Sequence, residues 1–302
     1  MIFIVKLEAT MNSLTLESYS LRCRIDADKS LLDSILEDPF TYHYMIRSRR
    51  VENGYSDVQI KQDDSIQEPV EIDYPNARFK SDLSSRDIIV VGEYLLERAR
   101  QEKLGFYTIS SACARLDNLA VVFNGGATNL GKTSSMLTLV QRCGFEFVSD
   151  EKTLIDLQNM KIGGGSISIP TRKKIIRESF FSEKSESLSE YEKIAHNEGS
   201  FKAGLMIYPH LDHGLPKPIY YKWQPLDAFW ILTRDFSHEI RGGIRLVNNF
   251  SHILSSIDNP ELSKSRIERT RMFCENVPCY YFQGSLDQVA EYIPNLLRQE
   301  NA

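Results

Sequence analysis

Residues 126–133 read Gly-Ala-Thr-Asn-Leu-Gly-Lys-Thr, a match to the phosphate-binding pattern G-x-x-x-x-G-K-[ST]. Glycines let the backbone wrap tightly, so that several N–H groups point inward at phosphate oxygens. A lysine in this place reaches the β and γ phosphates, and the Thr133 hydroxyl offers an oxygen to Mg²⁺. The candidate nucleotide-binding residues are therefore Gly126, Ala127, Thr128, Asn129, Leu130, Gly131, Lys132, Thr133 and Ser134. Their surroundings suit the pattern. The apolar run "LAVVFNG" predicts a buried strand before the loop, and residues from Lys132 to about Cys143 predict a helix after it. That helix would add its positive dipole end to the phosphate site. A glycine-rich turn that binds nothing is the plain alternative.

A second constellation lies one helix and one strand further on. "FEFVSDEK" puts Asp150 and Glu151 at the end of an apolar strand. Ends of neighbouring strands lie side by side next to bound phosphates in sheets of this kind. Motors and switches commonly place their metal-binding acid much later in the chain. An early pair suits a kinase, in which one carboxylate takes the proton of an attacking hydroxyl while its neighbour helps hold Mg²⁺. Thr133, Asp150 and Glu151 form the candidate metal set. Against this stands a solvated turn or a helix cap, where acids are common.

The stretch "LAVVFNGGATNLGKTSSMLTLVQRCGFEFVSDEKTLI" resembles the kinase core of the HPr kinase/phosphorylase family, whose relatives include the PEP carboxykinases. The resemblance covers residues 105–175 and extends faintly over 226–297. It implies an α/β P-loop kinase core with a mixed sheet, ATP and Mg²⁺ as cofactors, and phosphoryl transfer to a hydroxyl. By resemblance, Asp150 is the catalytic base and Lys132 the catalytic cation on the phosphates. Glu151 stands where the family has a second Asp. The family also offers a basic residue to the transferring group, and Arg172 in "IPTRKK" is the first choice, a basic surface run being the alternative. Arg241 and Arg245 are weaker choices. Two departures stand out: no His occupies the strand before the loop, where Ser111 lies, and Asn129 replaces a glycine. The missing imidazole counts against a reverse phosphorylase reaction. The acceptor implied is a Ser of a peptide or small protein, with a small-molecule alcohol next. A non-catalytic nucleotide-binding regulator and an NTPase driving motion or assembly complete the alternatives.

Other groupings carry less. "HLDH" from His210 to His213 has poor spacing for a metal on a proline-flanked loop. Tyr220, Tyr221 and Trp223 read as packing aromatics that could equally stack on a substrate. Ser110 and Ser111 have no His/Asp arrangement to support a hydrolase triad.

The elements that must position these residues read as follows. The chain has 302 residues, 42% of them hydrophobic, enough for one large domain or two modest ones. A smaller N-terminal α+β module is expected over 1–104 and the P-loop kinase-like domain over 105–302. "SLTLESYSLRCRI" alternates as antiparallel strands, and "DADKSLLDSILED" predicts a short helix. Strands are expected at "FYTISSACARL", on both sides of the acid pair, and at "DAFWILTRDF"; a glycine-rich hairpin is expected at "NMKIGGGSISIP". "GLMIYPHLDHGLPKPIYYKWQP" reads as irregular edge structure, and "GGIRLVNNFSHILSSI" as a strand and helix. Helices close the chain at "PELSKSRIERTRMFCENV" and after Gly284. The net charge of -5 argues against a dedicated nucleic-acid binder. Five scattered cysteines suggest reduced core thiols rather than zinc. "MIFIVKLEAT" reads as a first strand and not a signal peptide, and no apolar run approaches a membrane span. A cytoplasmic protein is expected, with no membrane partner and a homo-oligomer allowed.

Overall fold

The computed structural model describes residues 12–126, 129–170, 191–193 and 199–302. The chain is mixed α/β, with two mixed sheets, a two-stranded pair and seven helices among the described residues. It divides into two compact units. The first comprises the chain up to Ala99 together with Gly243–Ser255; the second comprises Arg100–Gly242 and Ser256–Ala302. The first-strand reading of "MIFIVKLEAT" lies outside the described residues.

In the first unit, β1 (Asn12–Ser18) and β2 (Leu21–Ala27) form the expected antiparallel pair. Leu14 and Leu16 on β1, and Cys23 and Ile25 on β2, are buried by two-residue alternation. α1 (Lys29–Glu37) and the short α2 (Pro39–Tyr44) follow, the latter opened by the Asp38 carboxylate accepting from Phe40 N–H at 2.9 Å. β3 (Arg49–Val51), β4 (Val58–Gln62), β5 (Val70–Asp73) and β6 (Asn76–Phe79) complete a sheet of order β3-β1-β2-β4-β6-β5. α3 (Ser85–Lys103) carries the apolar run Ile88 to Val91. The later segment Gly243–Ser255, expected as strand and helix, is irregular apart from one bridge between Arg245 and Ile253. It is tied to α3 by side chains: Asp87 accepts from Asn248 N–H at 3.0 Å, and the Tyr94 hydroxyl donates to Ser255 O at 2.8 Å.

The second unit is built on an eight-stranded sheet. Its strands are β7 (Phe106–Leu116), β8 (Leu119–Asn124), β9 (Glu146–Ser149), β10 (Lys152–Asp156), β11 (Lys161–Gly165), β14 (Phe201–Leu211), β15 (Ile219–Lys222) and β16 (Cys279–Gly284). The order is β11-β10-β7-β8-β14-β16-β15, with β9 also on β7 and β11 also on β14. β8, β14 and β16 run parallel, while β7 is antiparallel to β8, β9 and β10. β12 (Ser168–Pro170) and β13 (Tyr191–Lys193) pair separately. The expected hairpin at "NMKIGGGSISIP" is therefore not one. β11 pairs with β10 and β12 with β13, so the two strands of this segment do not pair with each other.

Both faces of β8 are covered. Ala120 and Val122 face a core that includes Tyr107, Leu232, Phe236 and Phe273. Val121 and Phe123 face another that includes Met136, Leu139, Phe282 and Ile293. A continuous apolar strand is what double-sided burial requires. α4 (Lys132–Arg142) and α7 (Leu286–Glu300) cover the second face, the latter started by a capping box of Ser285 and Gln288. α5 (Pro225–His238) and α6 (Pro260–Asn276) cover the first.

"DAFWILTRDF" is the body of α5, not a strand. Pro225 occupies the first turn, and Ala228, Leu232 and Phe236 bury one face at four-residue spacing. The "GLMIYPHL" segment is not edge structure but the inner strand β14, between β8 and β16; only β15 after it lies on the edge. No helix among the described residues is long and apolar enough to cross a membrane.

Candidate phosphate site

β8 ends at Asn124 and α4 begins at Lys132, so the G-x-x-x-x-G-K-T segment is the turn between a buried strand and a helix N-terminus. Ala127, Thr128 and Arg172 lie outside the described residues. Asn129 adopts φ 64°, the left-handed conformation. Asn is among the few side chains that tolerate it, which explains how it stands where a glycine is usual. Gly131 caps α4 at φ 92°, and a Cβ there would overlap Leu211 of β14. The Leu211 N–H also donates to Leu130 O at 3.3 Å, so β14 seals the back of the loop. Lys132 folds over it, its Nζ donating to Gly125 O at 2.7 Å. Ser134 lies in the first turn of α4, where its carbonyl accepts from the Thr138 hydroxyl at 2.8 Å.

β9 and β10 bring the acids to the same place. The Thr133 hydroxyl donates to Asp150 Oδ1 at 2.8 Å, and the Asp150 residue is only 1% exposed. Glu151 sits at φ 65°, and Lys152 N–H donates across it to Asp150 O at 2.8 Å. This is a three-residue γ-turn of the rare positive-φ kind, a strained conformation for a non-glycine residue. The turn is held from two sides. Ser111 N–H donates to Glu151 O at 3.2 Å, while Asp150 N–H donates to Ser166 O and Ser166 N–H to Lys152 O, both at 3.0 Å. A Cβ on Gly165 would fall 2.7 Å from Ser149 Cβ and closer still to Lys152 O, so only glycine lets β11 lie this near the acids. Ser111 is fully buried and level with Asn124 on β8, and thus borders both halves of the site.

Thr133 Oγ1 and Asp150 Oδ1 are two hard oxygens side by side beside a helix N-terminus. That donor set fits Mg²⁺, which keeps several waters and takes one or two protein oxygens plus phosphate oxygens. Glu151 is exposed at the adjoining turn.

α5 adds residues that the sequence reading missed. Asp235, 9% exposed, accepts from Asn124 Nδ2 at 2.9 Å, and Arg234 donates to its other oxygen through Nε and Nη2 at 3.1 Å each. Arg234 Nη2 lies 3.6 Å from where a Cβ on Gly126 would stand. One turn on, His238 Nδ1 is 3.4 Å from Glu239 Oε1. The hydrogen bond to Glu239 holds the His238 pKa above its ordinary value. Burial pushes the Glu239 carboxyl up, but the His238 bond and the charges of Lys152 and Arg100 outweigh it and leave the pKa lowered.

The remaining candidates fall elsewhere. Arg241 is 3.8 Å from Asp258, which also pairs with the buried Arg266. Arg245 belongs to the first unit. His210 Nδ1 is 3.3 Å from the Tyr281 hydroxyl, and Asp212 accepts from Gly214 N–H at 2.9 Å and from Gln283 Nε2 at 3.0 Å. No group of three or more His, Cys, Asp or Glu placed to hold a metal occurs among the described residues. Tyr220 stacks on Phe282 and Tyr221 on Tyr281, with ring centroids 6.5 and 5.3 Å apart, and Trp223 tilts against Tyr208. In comparisons with known proteins, the chain matches no family model and no curated protein.

Proposed function

We propose that the chain is an ATP-dependent kinase of the HPr kinase-like type, transferring the γ-phosphoryl group to a hydroxyl, in first place a Ser of a peptide or small protein. The observation that carries the reading is the Thr133–Asp150 contact, which joins the start of the loop helix to the acid at the end of β9. In this mechanism the loop N–H groups and Lys132 hold the phosphates, and Asp150 accepts the proton of the attacking hydroxyl. Thr133 and Asp150, with Glu151 at the turn, would hold Mg²⁺, which offsets charge on the β and γ phosphates when bound. The buried setting of Asp150 keeps water from the base and strengthens its interaction with the phosphate site. Arg172 remains the sequence-based choice for an added cation.

The test is transfer from γ-labelled ATP to candidate peptides and metabolites by the purified full chain. Asp150→Asn is expected to bind ATP and transfer no label. Full-rate transfer by that variant would overturn the role of Asp150.

A further inference from the structure

The helical state of residues 225–238 brings a guanidinium to the loop from the face of the sheet opposite α4. Three features distinguish Arg234 from an ordinary surface ion pair, which contributes about 0–1 kcal/mol. First, its partner is fixed. Asp235 is buried and its second oxygen is committed to Asn124, the last residue of β8, so carboxylate and guanidinium are tethered to the root of the loop. Second, the pairing is incomplete. A carboxylate normally meets the arginine fork with both oxygens. Here Nε and Nη2 share one oxygen, which leaves the Nη1 donors for another anion. Third, the group is accessible. The Arg234 side chain is 65% exposed although it lies beside Gly126, the first glycine of the phosphate-binding pattern.

We propose that Arg234 is the arginine, supplied within the same chain, that binds the transferring phosphoryl group, with Asp235 and Asn124 as its positioning residues. This inference rests on the kinase reading above. As the bond from the γ phosphorus to the bridging oxygen of ADP breaks and the bond to the acceptor oxygen forms, the acceptor proton passes to Asp150. Arg234 offsets the charge spread over the equatorial oxygens, and Lys132 does so from the α4 side. An arginine in this role typically contributes about 10³-fold or more to turnover.

The experiment needs no acceptor. Binding of Mg·ADP to the full chain is measured with and without fluoroaluminate, which mimics the planar phosphoryl group in flight. Wild type is expected to bind Mg·ADP and to bind it roughly tenfold or more tightly with fluoroaluminate. Arg234→Ala is expected to keep Mg·ADP affinity within about threefold and to lose the fluoroaluminate gain. Arg234→Lys should recover only part of the gain, because an ammonium lacks the planar fork. Asp235→Asn should reduce the gain without abolishing it. A full gain in Arg234→Ala overturns the proposal, as does a loss of the gain in Arg172→Ala alone. Folded wild type that binds no Mg·ADP would overturn the kinase reading itself, and this inference with it.

Discussion

Thr133 and Asp150, separated by 17 residues in sequence, share a buried hydrogen bond of 2.8 Å from Oγ1 to Oδ1. It links the first turn of α4 to the γ-turn after β9. Thr133→Val keeps the shape of the side chain and removes the donor from a buried carboxylate. The expected cost is about 1–3 kcal/mol of stability, read as a lower urea midpoint with unchanged slope. Thr133→Ser, which restores the hydroxyl, should recover most of it.

Gly165 permits the close passage of β11 over the acid turn. Gly165→Ala places a methyl group against Lys152 O and Ser149 Cβ, neither of which is the far end of a flexible chain. Overpacking of this kind costs about 1–3 kcal/mol. The same variant should weaken Mg·ADP binding, since the displaced element carries Asp150. Unchanged stability would mean that β11 moves freely over the turn.

The His238–Glu239 pair predicts a pH window. Glu239 is lowered from its ordinary 4.5, so its contribution is present above that value and lost as pH falls through the folded pKa. His238 is raised from its ordinary 6.5, so its contribution is present below that value and lost as pH rises through the folded pKa. The stability difference between wild type and His238→Gln should therefore be greatest between pH 4.5 and 6.5 and fade on both sides. His238 is largely exposed, which holds the difference to about 1 kcal/mol or less. Urea melts across pH 4 to 9 would read it, and a difference that grows toward alkaline pH would contradict the pairing.

The thiols offer a labelling test. Burial pushes the thiols of Cys23 and Cys113 well above their ordinary pKa, and contact with Cys274 together with burial raises that of Cys279. Cys143 is the partly exposed thiol of the five, and its pKa is raised by burial less Arg142's opposing charge. A thiol-specific disulfide reagent should modify at most Cys143 in the native protein, slowly, and the remainder only after unfolding. Cys143→Ser should leave no native reactivity.

The run from β7 to β10 was legible in sequence because each boundary there is local. Asp117 and Asn118 turn the chain, Gly131 caps a helix and Gly144 ends one. The same locality made Lys132, Thr133 and Asp150 readable as one group. Arg234, Asp235 and Asn124 were not. The Asn124–Asp235 bond spans 111 residues, and the apolar run "FWIL" within α5 imitates a strand to any short window. Pro209 masked β14 in the same way. It is tolerated near the end of that strand, opposite Phe282 of β16. The return of 243–255 to the first unit rests on Asp87 and Tyr94, more than a hundred residues earlier, which no local pattern reveals.

β8 is bonded on both edges and covered on both faces, and the phosphate-binding pattern begins two residues past its end. Amide hydrogens at Val121 and Val122 should therefore exchange with solvent only when the whole unit unfolds, while those of the edge strand β15 exchange through small local openings. The root of the loop is thus among the last parts of the unit to loosen. Adjustment to a ligand must begin at Gly125 and beyond, and it falls to the exposed side chains around the loop, Arg234 and Glu151 among them.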